Sequence, residues 1–498
     1  MSFKKNITLS KSDFLLYMKH PAWLWLKKYQ PEMLPGVDQS LQAIFDNGTL
    51  FESYVENTYP NSVKIGFSRN GLSYKSMPER TARAINAGAR TVLQGRAEAN
   101  GLTCIFDVLE HISGNNYALT EIKSSTKVKD EHILDLGFQK IVLEKSGIKI
   151  AHAKVRYVDP TYIRKKDLDI DRLSITEDVT ELVNQKIEYI KLKVEGAKDI
   201  VASSQRPSLS PRFVADEYIK DWLIIYENLQ PPESEYNIYK LTRLKPDLIG
   251  KLEDLKVSLI ENIPLNIQLS DKQKKQFSAT KQNSVEINTE KIENFLQDLK
   301  FPLYFFDYET FSEVVPTLEG TRPYEQIPFQ YSLHILDKGG HLTHCEFLHE
   351  DPTDPRLDLL KNLSLHVGRE GSVITWNKSF EMSVNKNLAD FFPDFKDFLI
   401  DLNLRVVDLM EPFIRDWYIH KDFYGSASIK NVLPVLISEL SYENLAIKEG
   451  ATASRMWTDI VFREKDYSSK KDVLKNLKKY CETDTLAMVQ IYKHLCSI

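Results

Sequence analysis

Asp307 and Glu309 stand two residues apart at the end of an apolar run, Phe301 to Phe306, while Tyr480 and Asp484 stand four apart near the C-terminus. Residues two apart on a strand share a face, and residues four apart on a helix share a stripe, so each pair can aim at one point. An apolar run ending in Asp-x-Glu sets both acids at the mouth of a buried strand, where bare charge is costly and a divalent cation is a natural partner. That combination suits metal-dependent phosphoryl chemistry. Between these ends, Val373-Ile374-Thr375-Trp376-Asn377-Lys378-Ser379-Phe380-Glu381 reads as a short strand, a polar turn and a helix start, with Glu381 as a third carboxylate. Asp408 closes another apolar strand, Arg405 to Leu409, either as a cap for a neighbouring helix or as support behind the metal-binding acids.

A second constellation lies in the N-terminal half. Thr103 to Ile112 reads as a strand, Ser113-Gly114-Asn115-Asn116 as a hairpin turn and Tyr117 to Lys123 as the returning strand. Asp107 then faces Glu121 and Lys123 across the hairpin. Two acids can hold Mg²⁺ through oxygen, and a lysine beside them can orient a water and offset charge developing on a phosphate. A helix from about Asp130 to Lys145 follows, and another is expected around Gly48 to Glu56.

The C-terminal residues resemble the DEDD superfamily of 3′-to-5′ exonucleases, whose motifs are Asp-x-Glu, an Asn-x-x-Phe-Asp element and Tyr-x-x-x-Asp. By that resemblance Asp307, Glu309, Glu381 and Asp484 hold two divalent ions and Tyr480 orients the attacking water. Asn377 and Lys479 become candidate nucleic-acid contacts. Glu381 departs from the family's aspartate by one methylene. The hairpin resembles the PD-(D/E)XK core in its RecB-like form, which implies a metal role for Asp107 and Glu121 and a catalytic one for Lys123. It also brings in Gln139 on the following helix and Glu52 on the preceding one, with Glu56 as the alternative to Glu52. Leu143 stands where that motif often has tyrosine.

In order, these parts resemble an uncharacterised bacterial domain-of-unknown-function family that fuses a RecB-like module to a DEDD-like one. The resemblance is carried by Leu9-Ser10-Lys11-Ser12, Leu24-Trp25-Leu26, Glu121-Ile122-Lys123-Ser124-Ser125, Asp135-Leu136-Gly137-Phe138-Gln139, Arg322 to Gln330 and Tyr480 to Thr485. Members often carry cysteines that could hold an iron–sulfur cluster. Here His20 stands where a Cys-Pro dipeptide is common, and Ser208 to Trp222 contains no cysteine. The chain's 4 cysteines, Cys104, Cys345, Cys481 and Cys496, are widely separated in apolar or helical settings, so neither a zinc nor a cluster framework is available. The expected cofactor is Mg²⁺ or Mn²⁺, with no iron–sulfur cluster, and disulfides are not expected in a reducing cytoplasm.

At 498 residues the chain is too long for one ordinary core. The expected class is α/β: a restriction-endonuclease-like PD-(D/E)XK module over 1–205, a helical connector over 206–290 and a ribonuclease H-like DEDDy module over 291–498. The opening Met1-Ser2-Phe3-Lys4-Lys5-Asn6 lacks a signal peptide's apolar stretch, and no long uncharged apolar segment could span a bilayer, so a cytoplasmic location is the default expectation.

A net charge of −5 does not advertise nucleic-acid binding, but acid-rich sites mask local basic surface. Lys127 and Lys129, Lys272 with Lys274 and Lys275, and the row Lys470, Lys471, Lys475, Lys478 and Lys479 are the candidate phosphate contacts. The Pro- and Gly-containing stretch Gly320 to Phe329 either shapes a nucleotide pocket, with Tyr324 or Phe329 stacking on a base, or is a structural crossover.

Together these features lead to the expectation of a divalent-metal-dependent nuclease acting on DNA, with RNA as a further substrate at the C-terminal site. The rival is a nucleic-acid-binding or scaffolding subunit of a repair or defence complex with one or both sites inactive. No Gly-x-x-x-x-Gly-Lys-Ser/Thr loop is present, so any ATP-driven unwinding would fall to a helicase partner.

Overall fold

The computed structural model describes residues 8–36, 39–66, 72–463 and 470–498; the opening Met1 to Asn6 lies outside them. Two compact units interleave along the chain. The first takes Met1–Pro232, Lys245–Gly250 and Glu313–Tyr324; the second takes Glu233–Leu244, Lys251–Ser312 and Glu325–Ile498. Residues 206–290, read as a connector, are thus divided between both, and each unit is mixed α/β.

In the first unit, strands β1 (Leu9–Ser10), β2 (Val63–Lys64), β3 (Thr91–Ala99), β4 (Leu102–Ser113), β5 (Asn116–Lys123), β6 (Lys149–Val158) and β7 (Ser174–Asp178) form one sheet. Its order is β2-β3-β4-β5-β6-β7, with β1 paired to β4. The expected hairpin is β4–β5, which is antiparallel, and the expected helix spans Asp130–Lys145. That helix is the crossover between the parallel strands β5 and β6, the connection such a pair requires. Phe14, Phe106, Leu119, Leu136, Phe138 and Val155 fill the core between sheet and helices. A second cluster joins Phe51 and Val55, from the helix Gln39–Glu56, to Val108, Val158, Leu173, Val314 and Val315.

His20 and the segment Ser208 to Trp222, the two places where cysteines were looked for, pack on one another. The His20 ring stacks on Trp222 at 3.9 Å and its Nε2 donates to Ser210 O at 3.0 Å. Its Nδ1 accepts from Ala22 N and caps the helix Pro21–Tyr29.

In the second unit, β8 (Glu286–Ile287) pairs with β14 (Tyr418–Ile419) as a small ribbon. The main sheet has β9 (Leu303–Phe311), β10 (Ile327–Leu336), β11 (Leu342–Leu348), β12 (Ser372–Thr375) and β13 (Val406–Asp408), in the order β11-β10-β9-β12-β13. β9 is antiparallel to β10 and parallel to β12, which is parallel to β13.

Burial is nearly continuous along β9, as expected of a strand covered on both faces. Tyr304, Phe306 and Tyr308 meet Leu359, Leu363, Val384 and Leu388 of the helices Arg356–His366 and Ser379–Phe391. The alternate residues face the helix Lys470–Cys496, whose Tyr492 lies 5.6 Å from the Phe305 ring. Gly371 fixes the start of β12. Its φ of +95° suits glycine, and a Cβ there would stand 2.1 Å from Pro302 O.

Among the described residues, no helix is long and apolar enough to cross a membrane.

Candidate metal centres

The pleat of β9 sends Asp307 and Glu309 to the face covered by the helix Lys470–Cys496. That helix supplies Tyr480, Cys481 and Asp484 from successive turns. One ligand atom each from Asp307, Glu309 and Cys481 lies within 4.8 Å of the others, with Cys481 Sγ 4.0 Å from Asp307 Oδ2. Glu381 enters from the first turn of the helix Ser379–Phe391 and shares a hydrogen bond with Asp307.

Burial and mutual repulsion push these acids up. Burial, then the carboxylates of Asp484, Glu309 and Glu381, lifts Asp307 well above the usual range. Burial and Asp484 do the same to Glu309. Burial takes Glu381 to about 8 and Asp484 to about 6. Glu381 is 1% exposed, and its Oε2 has no hydrogen-bond partner among the described residues. An orphaned carboxylate oxygen among acids that resist ionisation is the electrostatic signature of a place for cations, and oxygen donors suit Mg²⁺ or Mn²⁺. The residues present therefore fit a divalent ion.

Three neighbours of this centre escaped the sequence reading. Tyr442 donates to Asp484 Oδ1 at 2.5 Å. Lys430 offsets some of the charge on Glu309 and Asp484. The helix Gly450–Val461 begins beside Glu309, where a Cβ on Gly450 would lie 3.6 Å from Oε2. The glycine that opens its helix is the one local signal for the last; nothing local marked the other two. Cys481, read only as one of four widely separated cysteines in apolar or helical settings, is in the cluster itself. Tyr480 is buried, and burial with Asp484 and Glu309 holds its phenol firmly protonated. Asp408 is a cap: its carboxylate accepts from Asn377 N, Lys378 N and Met410 N at 2.9, 3.1 and 3.0 Å.

The N-terminal centre is built at a fork in the sheet. β4 pairs with β5 only from Val108 onward and with β1 at Leu102 and Thr103, so Asp107 stands where the strand changes neighbour. Ile122 N, outside the β4 ladder there, donates instead to Asp107 Oδ2 at 2.7 Å. Glu121 and Lys123 share a face of β5, with Lys123 Nζ 2.7 Å from Glu121 Oε1. Gln139 Nε2 donates to Glu121 Oε2 at 2.6 Å, so the predicted Gln139 does join the cluster.

Two residues quoted only for family resemblance, Lys11 and Asp135, are also there. Lys11 Nζ is 2.7 Å from Glu121 Oε1, and Asp135 Oδ2 is 2.9 Å from Lys123 Nζ. Burial would raise Glu121, but Lys11 and Lys123 hold it below the usual range. Burial and Glu121 drive Asp107 well above it. Burial, then Glu56 and Glu121, raises Glu52, which accepts from Gln94. Glu56 is instead ion-paired with Lys64.

The remaining candidates scatter. Lys127 and Lys129 are exposed between β5 and the next helix. Asn377 is exposed at φ +75° and accepts from Ser379 Oγ at 2.8 Å. Lys479 pairs with Glu482, Lys478 with Glu346 and Glu350, and Lys272 and Lys275 with Asp416. Tyr324 belongs to the first unit, where its phenol donates to Ser124 O and its ring is 37% exposed. Phe329 is fully buried and stacks on Trp457 at 4.3 Å, which removes it as a base-stacking residue.

The chain is 25% identical over 235 residues to an uncharacterised protein, UU173, of Ureaplasma parvum serovar 3; the match covers 43% of this chain and 34% of that one. It is 28% identical over 220 residues to an uncharacterised protein, MG366, of Mycoplasma genitalium, covering 40% of this chain and 33% of the relative. The chain thus spans about a third of the length of the curated relatives it matches. The segment that holds Asp307, Glu309, Glu381 and Asp408, residues 304–428, is similar to the family described as Domain of unknown function (DUF2779).

Proposed function

We propose that the chain is a divalent-metal-dependent nuclease that hydrolyses phosphodiester bonds of DNA, and of RNA at its C-terminal site, trimming from the 3′ end there. The observation that carries this reading is the convergence of Asp307, Glu309, Glu381 and Asp484, with the unpartnered Glu381 Oε2 among them. The strand order, with the acid-bearing β9 central and antiparallel to β10 alone of its neighbours, supports a ribonuclease H-like module. The forked sheet and crossover helix around Asp107, Glu121 and Lys123 support a PD-(D/E)XK module.

Bound Mg²⁺ or Mn²⁺ would stabilise charge on the attacking and leaving oxygens of an in-line displacement. The chain's own contribution is positioning. The four C-terminal acids would hold the ions, and the Tyr480 hydroxyl, kept protonated, would orient the attacking water with a lone pair toward phosphorus. A new P–O bond forms from the water, which gives up one proton to solvent, as the P–O3′ bond breaks and O3′ leaves as a hydroxyl by taking one proton from solvent. At the N-terminal site Asp107 and Glu121, helped by Glu52 and Gln139, are the holding acids, and the Lys123 ammonium offsets charge on the phosphate.

One observation favours a second reading of the first unit. Both oxygens of Glu121 are already engaged, by Lys11, Lys123 and Gln139, as a grip without cleavage would allow.

End-labelled single-stranded DNA, duplex DNA and RNA, incubated with Mg²⁺, Mn²⁺ or EDTA, test both readings. A metal-dependent ladder from the 3′ end is expected to vanish with Asp307→Ala and to survive Lys123→Ala. Trimming that persists in Asp307→Ala sinks the assignment. A second cleavage lost only in Lys123→Ala makes the first unit a nuclease, whereas weakened binding with no second cleavage makes it a grip.

A further inference from the structure

The N-terminal centre contains more positive charge than its strand motif supplies. Ser10 caps the helix Lys11–Lys19 through a reciprocal pair with Asp13, which fixes Lys11 at the first helical position. The two-residue strand β1 pins the same point to β4. From there Lys11 Nζ reaches Glu121 Oε1 at 2.7 Å and Asp135 Oδ1 at 3.6 Å. Lys123 contacts the same two acids, Glu121 at 2.7 Å and Asp135 at 2.9 Å. Gln139 Nε2 completes the arrangement by donating to Glu121 Oε2 at 2.6 Å and to Asp135 Oδ1 at 2.8 Å.

Glu121 and Asp135 are therefore neutralised by two ammonium groups. Among the described residues, Asp107 and Glu52 have no ammonium in hydrogen-bond contact; their hydrogen bonds come from Ile122 N and Gln94. When all four carboxyl groups are ionised, they leave two negative charges against two ammonium groups, which one divalent ion cancels. Gln139, 0% exposed, also leaves its Oε1 without a hydrogen-bond partner among the described residues, so an acceptor is free inside this cluster.

We infer that Lys11 is a resident counter-cation of the N-terminal centre: it holds the Glu121–Asp135 side that a second divalent ion would need, and so limits the centre to one such ion, taken by Asp107. This rests on the metal-binding reading of that centre and deepens it. Lys11 is a positioning residue here, acting through Glu121.

Counting Mn²⁺ bound to the full chain by electron paramagnetic resonance, with no substrate present, tests the inference. Asp107→Asn is expected to remove one Mn²⁺ per chain. Lys11→Met is expected to bind one more than wild type, to melt at lower temperature in EDTA, and to recover on adding Mn²⁺. Lys11→Arg keeps the wild-type count. Loss of two ions in Asp107→Asn, or no gain in a folded Lys11→Met, overturns the role of Lys11. No loss in Asp107→Asn overturns the metal-binding reading of the N-terminal centre itself, leaving the C-terminal one standing. Should Lys11→Met fail to fold, the Asp107→Asn count decides alone.

Discussion

At the scale of single residues, the C-terminal centre depends on how firmly Asp484 stays ionised. Burial lifts its carboxyl to about 6, and the hydrogen bond from Tyr442 opposes that lift. A hydrogen bond to a charged group contributes roughly 1.5–3 kcal/mol. Tyr442→Phe should therefore raise the Mn²⁺ concentration that half-saturates trimming by about tenfold or more, with the rate at saturating metal kept. An unchanged metal dependence would remove Tyr442 from the centre. The acids were legible because spacing alone puts Asp307 with Glu309 and Tyr480 with Asp484 on one face each. Tyr442, Lys430 and Lys11 were not. Tyr442 and Lys430 come from segments with no motif of their own, and Lys11, quoted only within Leu9-Ser10-Lys11-Ser12, spans 110 positions to Glu121. Asp135 is the intermediate case, one helical turn before the recognised Gln139.

At the scale of elements, helix starts are held by side chains whose protonation matters. His20 must offer an unprotonated Nδ1 to Ala22 N while its Nε2 donates to Ser210 O, which requires the neutral ring. Burial pushes it from 6.5 down to about 4. Between those values the unfolded chain takes up a proton that the folded chain refuses. The contribution of His20 is therefore complete above about pH 6.5 and is lost as pH falls toward 4, by about 3 kcal/mol in all. His20→Asn keeps an acceptor for Ala22 N and cannot titrate, so the loss of melting temperature between pH 7 and pH 5 should shrink. Equal losses in both proteins would show that His20 is not the group responsible.

Elements with apolar periodicity or a hairpin turn were readable in advance, as β4, β5 and the helix Asp130–Lys145 illustrate. The helix Asp271–Gln282 was read only as part of the connector, with Lys272, Lys274 and Lys275 as candidate phosphate contacts. Its buried Gln273 and Gln276 bond the backbone carbonyls of Thr242 and Lys240, so its inner face is polar and carries no hydrophobic period.

At the scale of the whole molecule, residues 313–324 follow the acid-bearing β9 in sequence and yet belong to the first unit. Val314 and Val315 are buried there with Phe51, Val55 and Tyr162, and Arg164 N and Nη1 donate to Thr321 O and Pro316 O at 3.0 and 2.6 Å. A charge placed in that cluster has no partner. Val314→Asp should cost the first unit about 3 kcal/mol or more, seen as a lower melting temperature and faster proteolysis within residues 8–232. Melting and proteolysis like wild type would mean that this segment is dispensable to the first unit. Of this stretch the sequence reading marked only the part within Gly320 to Phe329, by its proline, glycine and aromatics. Hydrophobic pattern says that two valines will be buried but not in which unit.

The threading has a consequence for inheritance. A break after Pro232 strands residues 313–324 from the core they complete, and a break after Tyr324 carries β9 away from β10. No single crossover between two genes can separate the units and leave both whole. Recombination would have to cut this chain several times to reassort its two acid centres, so descent should transmit them together.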